Sequence, residues 1–312
     1  MDVYSLADDI TEVKGDSKVY FLQEAENNKY EVYFGDGIVG LAVFYSLLGF
    51  FGHMPPKTAN AQCSQATLKA LQLDDMLAEA HAVMGGLRLS EFDWKGAERE
   101  FGRALELAPG SADVWTIYDF YYLVPMRRLD EAIAGTRRAL ELDPLSPFLQ
   151  FRLGLWYYYT RQWDHTIEQC RNALELDPHY PYAHLVIGGS YIHTGKLDEA
   201  IQSTETHARL MGRSPGALGW LGHNYAVIGR TGEARRLLEE LQEIAQKAYV
   251  QPFAFGLIYS GLGEIDRCFD WLEKAVDERE GWMLHIHADP AFDPLRSHPR
   301  YPALLRKMNL EP

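Results

Sequence analysis

The sequence predicts an all-α protein in which pairs of helices repeat along the chain and stack into a solenoid. The first observation is a period of 34 residues, which Gly and Tyr follow in three registers. These are Gly154, Gly188, Gly222 and Gly256; Tyr157, Tyr191, Tyr225 and Tyr259; and Gly195, Gly229 and Gly263. The second observation is that apolar residues between these positions fall three and four apart, which is typical of an amphipathic helix.

The second helix of each repeat is predicted from a segment that recurs and ends in Pro. Its copies are AEREFGRALELAP (97–109), DEAIAGTRRALELDP (130–144) and DHTIEQCRNALELDP (164–178), and LDEAIQS (197–203) and TGEARRLLEE (231–240) continue the series. Pro disfavours a helical conformation in the residue before it, so each helix is expected to end there. We expect the next helix to begin at once, with Ser146 and Ser214 as N-caps.

The glycines inside the first helices indicate that two helices approach each other closely. Gly within a helix costs about 1 kcal/mol relative to Ala, so its recurrence needs a physical reason. We expect it to face small residues of the second helices, namely Ala97, Ala132, Thr166, Ala200, Ala234 and Cys268.

The first 36 residues do not follow the repeat. KVYFLQ (18–23) and KYEVYF (29–34) alternate in polarity around a turn-like segment, so residues 1–36 are predicted to be a β-hairpin leader. GLAVFYSLLGFFG (40–52) is predicted to be a first helix and QATLKALQLDD (65–75) its partner, after an unusually long connection. The helical array is thus predicted over residues 37–283, with six to seven helix pairs of which the first is irregular.

Residues 284–312 are predicted to cap the array, because the open end of a solenoid needs a polar outer face. Phe292 and Leu295 are expected to plug the last helix pair. A short final helix is expected to follow Ser297 as its N-cap, with Leu304 and Leu305 turned inward.

These motifs resemble the tetratricopeptide repeat, whose signature is W-x2-L-G-x2-Y, then A-x3-F, then P. The best matches are IGGSYIHTG (187–195) with DEA (198–200), and LGHNYAVIG (221–229) with GEA (232–234). The resemblance covers about residues 40–283. It implies a right-handed superhelical α-solenoid that binds a protein or peptide and has no catalytic activity.

Two further resemblances concern the ends of the chain. ADPAFDPLRSHPRYPALLRKMNL (288–310) is similar to the end of tetratricopeptide arrays that are fused to bacterial signalling domains, which implies a signalling or regulatory system. SKVYFLQEAENNKYEVYFGDGIVG (17–40) is similar to a segment of baseplate wedge proteins from contractile-tailed phages. The alternative function is therefore a structural or spacer module in a larger, phage-tail-related assembly. The alternative for residues 1–36 is an ordinary hairpin that covers the first helix.

Composition and motifs argue against several other functions. The net charge of −14 opposes binding to nucleic acid or to an anionic membrane surface. Apolar runs are shorter than the ~20 residues of a membrane span, and the N-terminus lacks a signal pattern, so we expect a cytoplasmic protein. The search finds no catalytic, phosphate-binding or Cys-based metal motif, and His285 and His287 lack an evident third ligand. We therefore expect no enzyme activity, metal or cofactor.

The predicted binding site is the concave face, which the first helices line in helix-pair solenoids. Counting from the Gly and Tyr of each unit gives the groove-facing residues Val114, Ile117, Tyr121, Phe148, Phe151, Leu155, Tyr158, Tyr159, Tyr182, Leu185, Ile192, His193, His223, Val227, Phe253 and Leu257. This face is aromatic and nearly uncharged, which favours an apolar or amphipathic helix as the ligand. Chaperone-binding members of the family carry a Lys/Asn clamp here, and the absence of Lys disfavours that partner. Alternatively, these side chains pack against neighbouring helices or against a second copy of the chain.

Overall fold

The computed structural model describes residues 20–22, 31–33 and 37–310, and within this part seven helix pairs follow one another. The pairs of the first half are α1 (Gly37–Phe50) with α2 (Pro56–Leu73), α3 (Ala78–Ser90) with α4 (Trp94–Leu107), and α5 (Ala112–Tyr118) with α6 (Leu129–Leu142). Those of the second half are α7 (Pro147–Tyr159) with α8 (Trp163–Leu176), α9 (Pro181–His193) with α10 (Leu197–Leu210), α11 (Pro215–Val227) with α12 (Thr231–Ala245), and α13 (Pro252–Gly261) with α14 (Ile265–Glu278). The predicted all-α solenoid is confirmed.

Several helices begin at Pro or after a capping side chain. Ser146 Oγ accepts a hydrogen bond from the backbone N–H of Leu149 at 3.3 Å, as its predicted N-cap role requires. Ser214 precedes α11, but its side chain makes no capping hydrogen bond, so that prediction is wrong. Helix α2 begins at Pro56, nine residues before the predicted segment, because Pro is suited to the first turn of a helix. The connection after α1 is therefore short.

Two short strands lie before the array. Strand β1 (Tyr20–Leu22) pairs antiparallel with β2 (Glu31–Tyr33), and Phe21 lies opposite Val32. Both strands fall within the segments that were predicted to form a hairpin. The rest of the leader lies outside the described residues, so its boundary at residue 36 stays a prediction.

Three of the four recurring glycines contact the second helix of their pair one turn beyond the predicted residues, whereas Gly222 contacts Ile258 of α13 and not the predicted Ala234. A Cβ atom on Gly154 would lie 2.8 Å from Cys170 Sγ, and one on Gly188 would lie 2.7 Å from Thr204 Oγ1. These partners come four residues after the predicted Thr166 and Ala200. Side chains on a helix point toward its N-terminus, so the side chain that covers a contact belongs to a residue further along the helix.

Three of the four recurring tyrosines make a hydrogen bond to the helix pair before their own. Tyr157 Oη accepts a hydrogen bond from Arg137 Nη2 at 2.6 Å, and Arg171 Nη2 makes the equivalent bond to Tyr191 at 3.0 Å. In the next unit Glu205 replaces Arg, and the Tyr225 hydroxyl donates to it at 2.6 Å. The 34-residue period of Tyr therefore reflects a hydrogen bond between successive repeats as well as packing.

The turn inside each pair needs a left-handed residue. Gly195, Gly229 and Gly263 have φ of +77°, +87° and +70°, which Gly adopts without steric cost. Arg161 occupies the same register with φ +59°. A residue with a Cβ atom is disfavoured there by roughly 1–2 kcal/mol, so its side chain is expected to make compensating contacts.

Arg161 makes those contacts with the C-terminal segment. This segment consists of two 3-10 helices, Gly281–His285 and Pro290–Leu295, and of helix α15 (Arg300–Lys307). Arg161 Nη2 lies 2.5 Å from Asp293 Oδ1, and Arg161 Nη1 donates to the carbonyl of Ala288 at 3.1 Å. The ionic contact joins the middle of the array to its end.

The end of the chain also contacts the second helix pair. Trp94 Nε1 donates to the carbonyl of Met308 at 2.7 Å, and Asn309 Nδ2 donates to the carbonyl of Phe92 at 3.2 Å. The guanidinium of Arg279 lies 4.2 Å from the centre of the Phe92 ring. The array therefore closes on itself, which the sequence did not predict.

The predicted cap is correct in its packing and wrong in one detail. Phe292, Leu295, Leu304 and Leu305 are all buried, as predicted. Ser297 does not cap the last helix, because Pro299 directly precedes Arg300 and the Nδ1 atom of His298 accepts the backbone N–H of Arg300 at 3.3 Å. Within the described ranges, none of the helices is long and apolar enough to cross a membrane.

Candidate functional site

The concave side of the array surrounds a cavity of about 630 Å³. Its walls come from the first helices α1, α3, α5, α7, α9 and α11, and from Trp282 and Asp289 of the C-terminal segment. Ala112, Asp113 and Asp143 at its edge are exposed to solvent, so the cavity reaches the surface there. Its volume falls in the range of roughly 300–1,000 Å³ that is usual for ligand sites.

The sixteen residues predicted to face the groove divide into two sets. The first set lines the cavity and consists of Ile117, Tyr121, Phe148, Phe151, Leu155, Tyr158, Tyr159, Tyr182 and Leu185. The second set lies elsewhere and consists of Val114, Ile192, His193, His223, Val227, Phe253 and Leu257. The cavity thus brings together the predicted residues of α5, α7 and α9, with Tyr121 just beyond α5.

The second set is separated from the cavity for local reasons. Phe253 is covered by the C-terminal segment, since its ring stacks 6.2 Å from Trp282 and lies 5.5 Å from Phe292. His223 Nδ1 is hydrogen-bonded to the carbonyl of Leu257 at 3.0 Å. His193 stacks on Trp163 with 4.0 Å between the ring centres. The prediction of these positions assumed that the groove is open along its whole length, whereas the C-terminal segment covers the groove at the last repeat.

One wall of the cavity was not predicted. Helix α1 faces the aromatic side chains of the later repeats, and the ring of Phe50 lies 5.4 Å from Phe120 and 4.6 Å from Trp282. The ring of Phe51 lies 5.6 Å from Tyr182. The available signal was the composition of α1, GIVGLAVFYSLLGF, because a helix that is apolar on every side is buried on more than one.

The aromatic wall of α7 and α9 is tightly packed. The Phe151 ring lies 5.2 Å from Tyr180 and 6.1 Å from Tyr182. Burial raises the pKa values of Tyr158 and Tyr159 well above the usual range, so both hydroxyls stay protonated. The aromatic side chains of this wall are therefore uncharged and able to hold apolar groups.

Arg152 is the buried cation of the cavity wall. Its side chain is 7% exposed, and its guanidinium carbon lies 4.7 Å from the centre of the Phe120 ring and 4.9 Å from that of Phe148. Nη2 donates to the carbonyl of Thr116 at 3.0 Å. Nε has no hydrogen-bond partner in the described part of the chain. Arg152 was not among the predicted groove residues, although it follows Phe148 by one helical turn and Phe151 directly.

Asp119 is the acid closest to Arg152, but it does not complete the hydrogen bonding of the guanidinium. Asp119 Oδ1 lies 3.7 Å from Nη2, beyond hydrogen-bond distance, and this oxygen also lacks a partner within the described ranges. Burial raises the pKa of Asp119 to about 7, an effect that the positive charge of Arg152 opposes. The pair is therefore a buried, incompletely bonded ionic contact.

A π-helix places Asp119 in this position. α5 continues into a π-helical turn over Asp119–Leu123, closed by the bond from the Val124 N–H to the Asp119 carbonyl at 3.1 Å. Such turns are rare and occur frequently at functional sites. The wider turn accommodates Phe120 and Tyr121 at the cavity while Asp119 is buried beside Arg152. This is the unit in which the sequence lacks the recurring Gly.

His285 and His287 bind different tyrosines. His285 Nδ1 lies 3.3 Å from Tyr159 Oη, and His287 Nδ1 lies 3.0 Å from Tyr301 Oη. Burial lowers the pKa of His285 to about 3, so its ring is neutral. Residues 37–310 hold no cluster of three His, Cys, Asp or Glu side chains that suits a metal ion. Both histidines are packing residues of the C-terminal segment.

Comparison with known proteins identifies solved structures with a similar fold but no protein of similar sequence. No family model and no curated protein matches the chain. The solved structure of PilW, a type IV pilus biogenesis factor, is 17% identical, with a TM-score of 0.50 over 66% of this chain and 94% of that one. The Cut9–Hcn1 hetero-tetramer of APC/C is 14% identical, with a TM-score of 0.51 over 79% of this chain and 49% of that one.

A thermophilic TPR protein of Thermus thermophilus is 19% identical, with a TM-score of 0.49 over 55% of this chain and 92% of that one. At these identities, similarity extends to the fold alone. The described part of the chain has seven helix pairs, and in the last four pairs Gly and Tyr recur every 34 residues at contacts between helices. These features, together with the fold matches to PilW and Cut9–Hcn1, show that the chain has the tetratricopeptide-repeat fold.

Proposed function

We infer that this protein is a scaffold without catalytic activity, which holds an apolar or amphipathic segment of a partner protein in its concave cavity. The observation that carries this proposal is the aromatic wall of α7 and α9, which faces a cavity open to solvent beside Asp113 and Asp143. Large rigid aromatic side chains are the usual anchors of such interfaces. The resemblance of residues 288–310 to arrays fused to signalling domains supports a role in bacterial signalling or regulation.

Position-specific cross-linking tests where the partner lies. A photoreactive benzoylphenylalanine is placed at Leu149, which lines the cavity, or at Leu142, which is 89% exposed and lies outside it. We expect a protein adduct from Leu149 alone, and mass spectrometry should map it to an apolar or amphipathic segment. Equal adducts from both positions, or an adduct on a hydrophilic loop, would contradict the proposal.

A peptide that matches the mapped segment then tests the anchors. Phe151→Ala with Tyr158→Ala should weaken its binding at least tenfold, since central aromatic anchors contribute about 2 kcal/mol or more each and 1.4 kcal/mol corresponds to a factor of ten. Leu142→Ala with Leu145→Ala, two exposed positions, is the matched control and should bind normally. Phe151 and Tyr158 are buried, so circular dichroism must show that the double variant is folded. Undiminished binding by the folded variant would exclude this cavity.

A further inference from the structure

We propose that the concave cavity also binds a small amphiphilic carboxylate, with the carboxylate on Arg152 and the apolar body among the aromatic rings. The proposal goes beyond the scaffold function, because its ligand is a small molecule that needs no partner protein. It stands on the geometry of Arg152, the shape and lining of the cavity, and the distribution of charge around it.

Arg152 has unused hydrogen-bonding capacity. A guanidinium has five N–H donors in a fixed plane. At Arg152 one nitrogen donates to the Thr116 carbonyl, the Asp119 carboxyl remains at 3.7 Å, and Nε has no partner among the described residues. Burying a cation without full hydrogen bonding is costly, so a ligand oxygen at this position would offset a cost that the folded chain already bears.

The chemistry of a guanidinium selects the ligand group. Its planar set of donors matches the two oxygens of a carboxylate. The rings of Phe120, Phe148 and Trp156 lie 4.7, 4.9 and 5.2 Å from the Arg152 guanidinium carbon and limit the space next to it. A flat carboxylate is therefore favoured over a bulkier anion.

The other residues that line the cavity favour an apolar body for the ligand. Leu47, Leu155 and Tyr182 belong to three different helices, and Phe51 directly follows the first of them. These side chains present mainly apolar surface to the cavity. The volume of about 630 Å³ is large enough for a drug-sized or single-chain ligand. An alkyl chain or an aromatic ring system would be removed from water there, which favours binding in proportion to the apolar area that is buried.

The acidic side chains near the cavity do not cancel the preference of Arg152 for a carboxylate. Glu79, Asp113 and Asp143 lie at the rim, where Asp113 and Asp143 are exposed to solvent. Salt screens exposed charges over about 8 Å at physiological ionic strength. Burial raises the pKa values of Asp119 and Asp289 to about 7, so each carries only part of a negative charge at neutral pH. Arg152 is the dominant charge inside.

Calorimetric titration of the full chain tests the proposal with three probes of equal chain length: dodecanoate, dodecanol and dodecyltrimethylammonium, each below its micelle concentration. Dodecanoate should bind saturably and at least tenfold more tightly than dodecanol, and the cationic probe should bind most weakly. Binding of the cation as tight as that of dodecanoate, or no saturable binding of dodecanoate, would overturn the proposal. Partner protein is absent from this titration, so its outcome is independent of the scaffold function.

Two variants assign the binding to the cavity. Arg152→Met should reduce the preference for dodecanoate over dodecanol to less than threefold and leave dodecanol binding in place. Arg103→Met removes an exposed Arg outside the cavity and should change neither affinity. An unchanged preference in Arg152→Met would contradict the proposal.

If Arg152→Met does not fold, a second variant decides the question. Val43→Trp places a large ring in the cavity from the half-buried face of α1 and leaves Arg152 in place. It should weaken dodecanoate and dodecanol together by at least tenfold. Unaltered dodecanoate binding in a folded Val43→Trp protein would place the ligand elsewhere and refute the proposal.

Discussion

Phe292→Ala tests whether the C-terminal segment packs on the last helix pair. Phe292 is 1% exposed, and its ring lies 5.5 Å from Phe253 of α13. Beside it, Ser260 Oγ of α13 donates to the carbonyl of Ala291 at 2.9 Å, which is a second contact of the segment with this helix. Truncation of a buried Phe to Ala typically costs about 3–5 kcal/mol, because it leaves a cavity as well as removing apolar contacts.

We expect this substitution to lower the Tm by about 6 °C or more, since each kcal/mol shifts the Tm of a large domain by roughly 2–4 °C. Leu142→Ala, at a position 89% exposed, is the control and should leave the Tm within about 2 °C. Differential scanning calorimetry measures both. Solenoids need not unfold in one step, so hydrogen exchange should also show that α13 and α14 lose protection first. A Tm equal to that of the control would refute this packing of the C-terminal segment on the last helix pair.

Three other predictions concern the cap, a buried hydrogen bond and a buried acid. Removal of residues 284–312 should uncover the last helix pair and cause aggregation in size-exclusion chromatography, and a monomer with unchanged Tm would contradict the capping role. Thr204→Val removes the acceptor of the hydrogen bond from Asn224 Nδ2 at 2.7 Å and should lower the free energy of unfolding in urea by about 1–3 kcal/mol. Thr206→Val is the control, because no described side chain donates a hydrogen bond to the Thr206 hydroxyl, and it should cost less than about 0.5 kcal/mol. Burial raises the pKa of Asp289 from 3.8 to about 7, so the folded chain keeps a proton that the unfolded chain releases. Between pH 4 and pH 7 the free energy of unfolding of the wild type should therefore fall by about 1 kcal/mol or more relative to that of Asp289→Asn. A difference between the two proteins that does not change with pH would contradict this.

Sequence reasoning identified the repeats because their signal is local and periodic. The Gly and Tyr registers mark contacts within a repeat or between adjacent repeats, as the clearance at Gly188 and the bond from Arg171 to Tyr191 illustrate. The closure of the array has no comparable signal. The bond from Trp94 to Met308 joins positions 214 residues apart, and only the accumulated curvature of the intervening pairs brings them together.

Part of the candidate site could be predicted because helical periodicity is also a local signal. Counting along α7 and α9 located Phe151, Tyr158 and Tyr182, since helical periodicity determines which residues share a face. It gave no information about Arg152, because a lone Arg on an aromatic face reads as a surface residue unless its burial is known. The side of α1 that faces the cavity was also missed, because a uniformly apolar helix has no preferred face in its sequence.

The binding of the cross-linked partner segment to a protein with a filled cavity tests the central claim most directly. Val43→Trp fills the cavity from α1, and Leu73→Trp adds the same ring at an exposed position of α2. If the concave cavity is the binding site, calorimetry should show at least a tenfold loss of affinity for Val43→Trp and unchanged affinity for Leu73→Trp. Equal affinities for the two folded variants would show that the partner binds another surface.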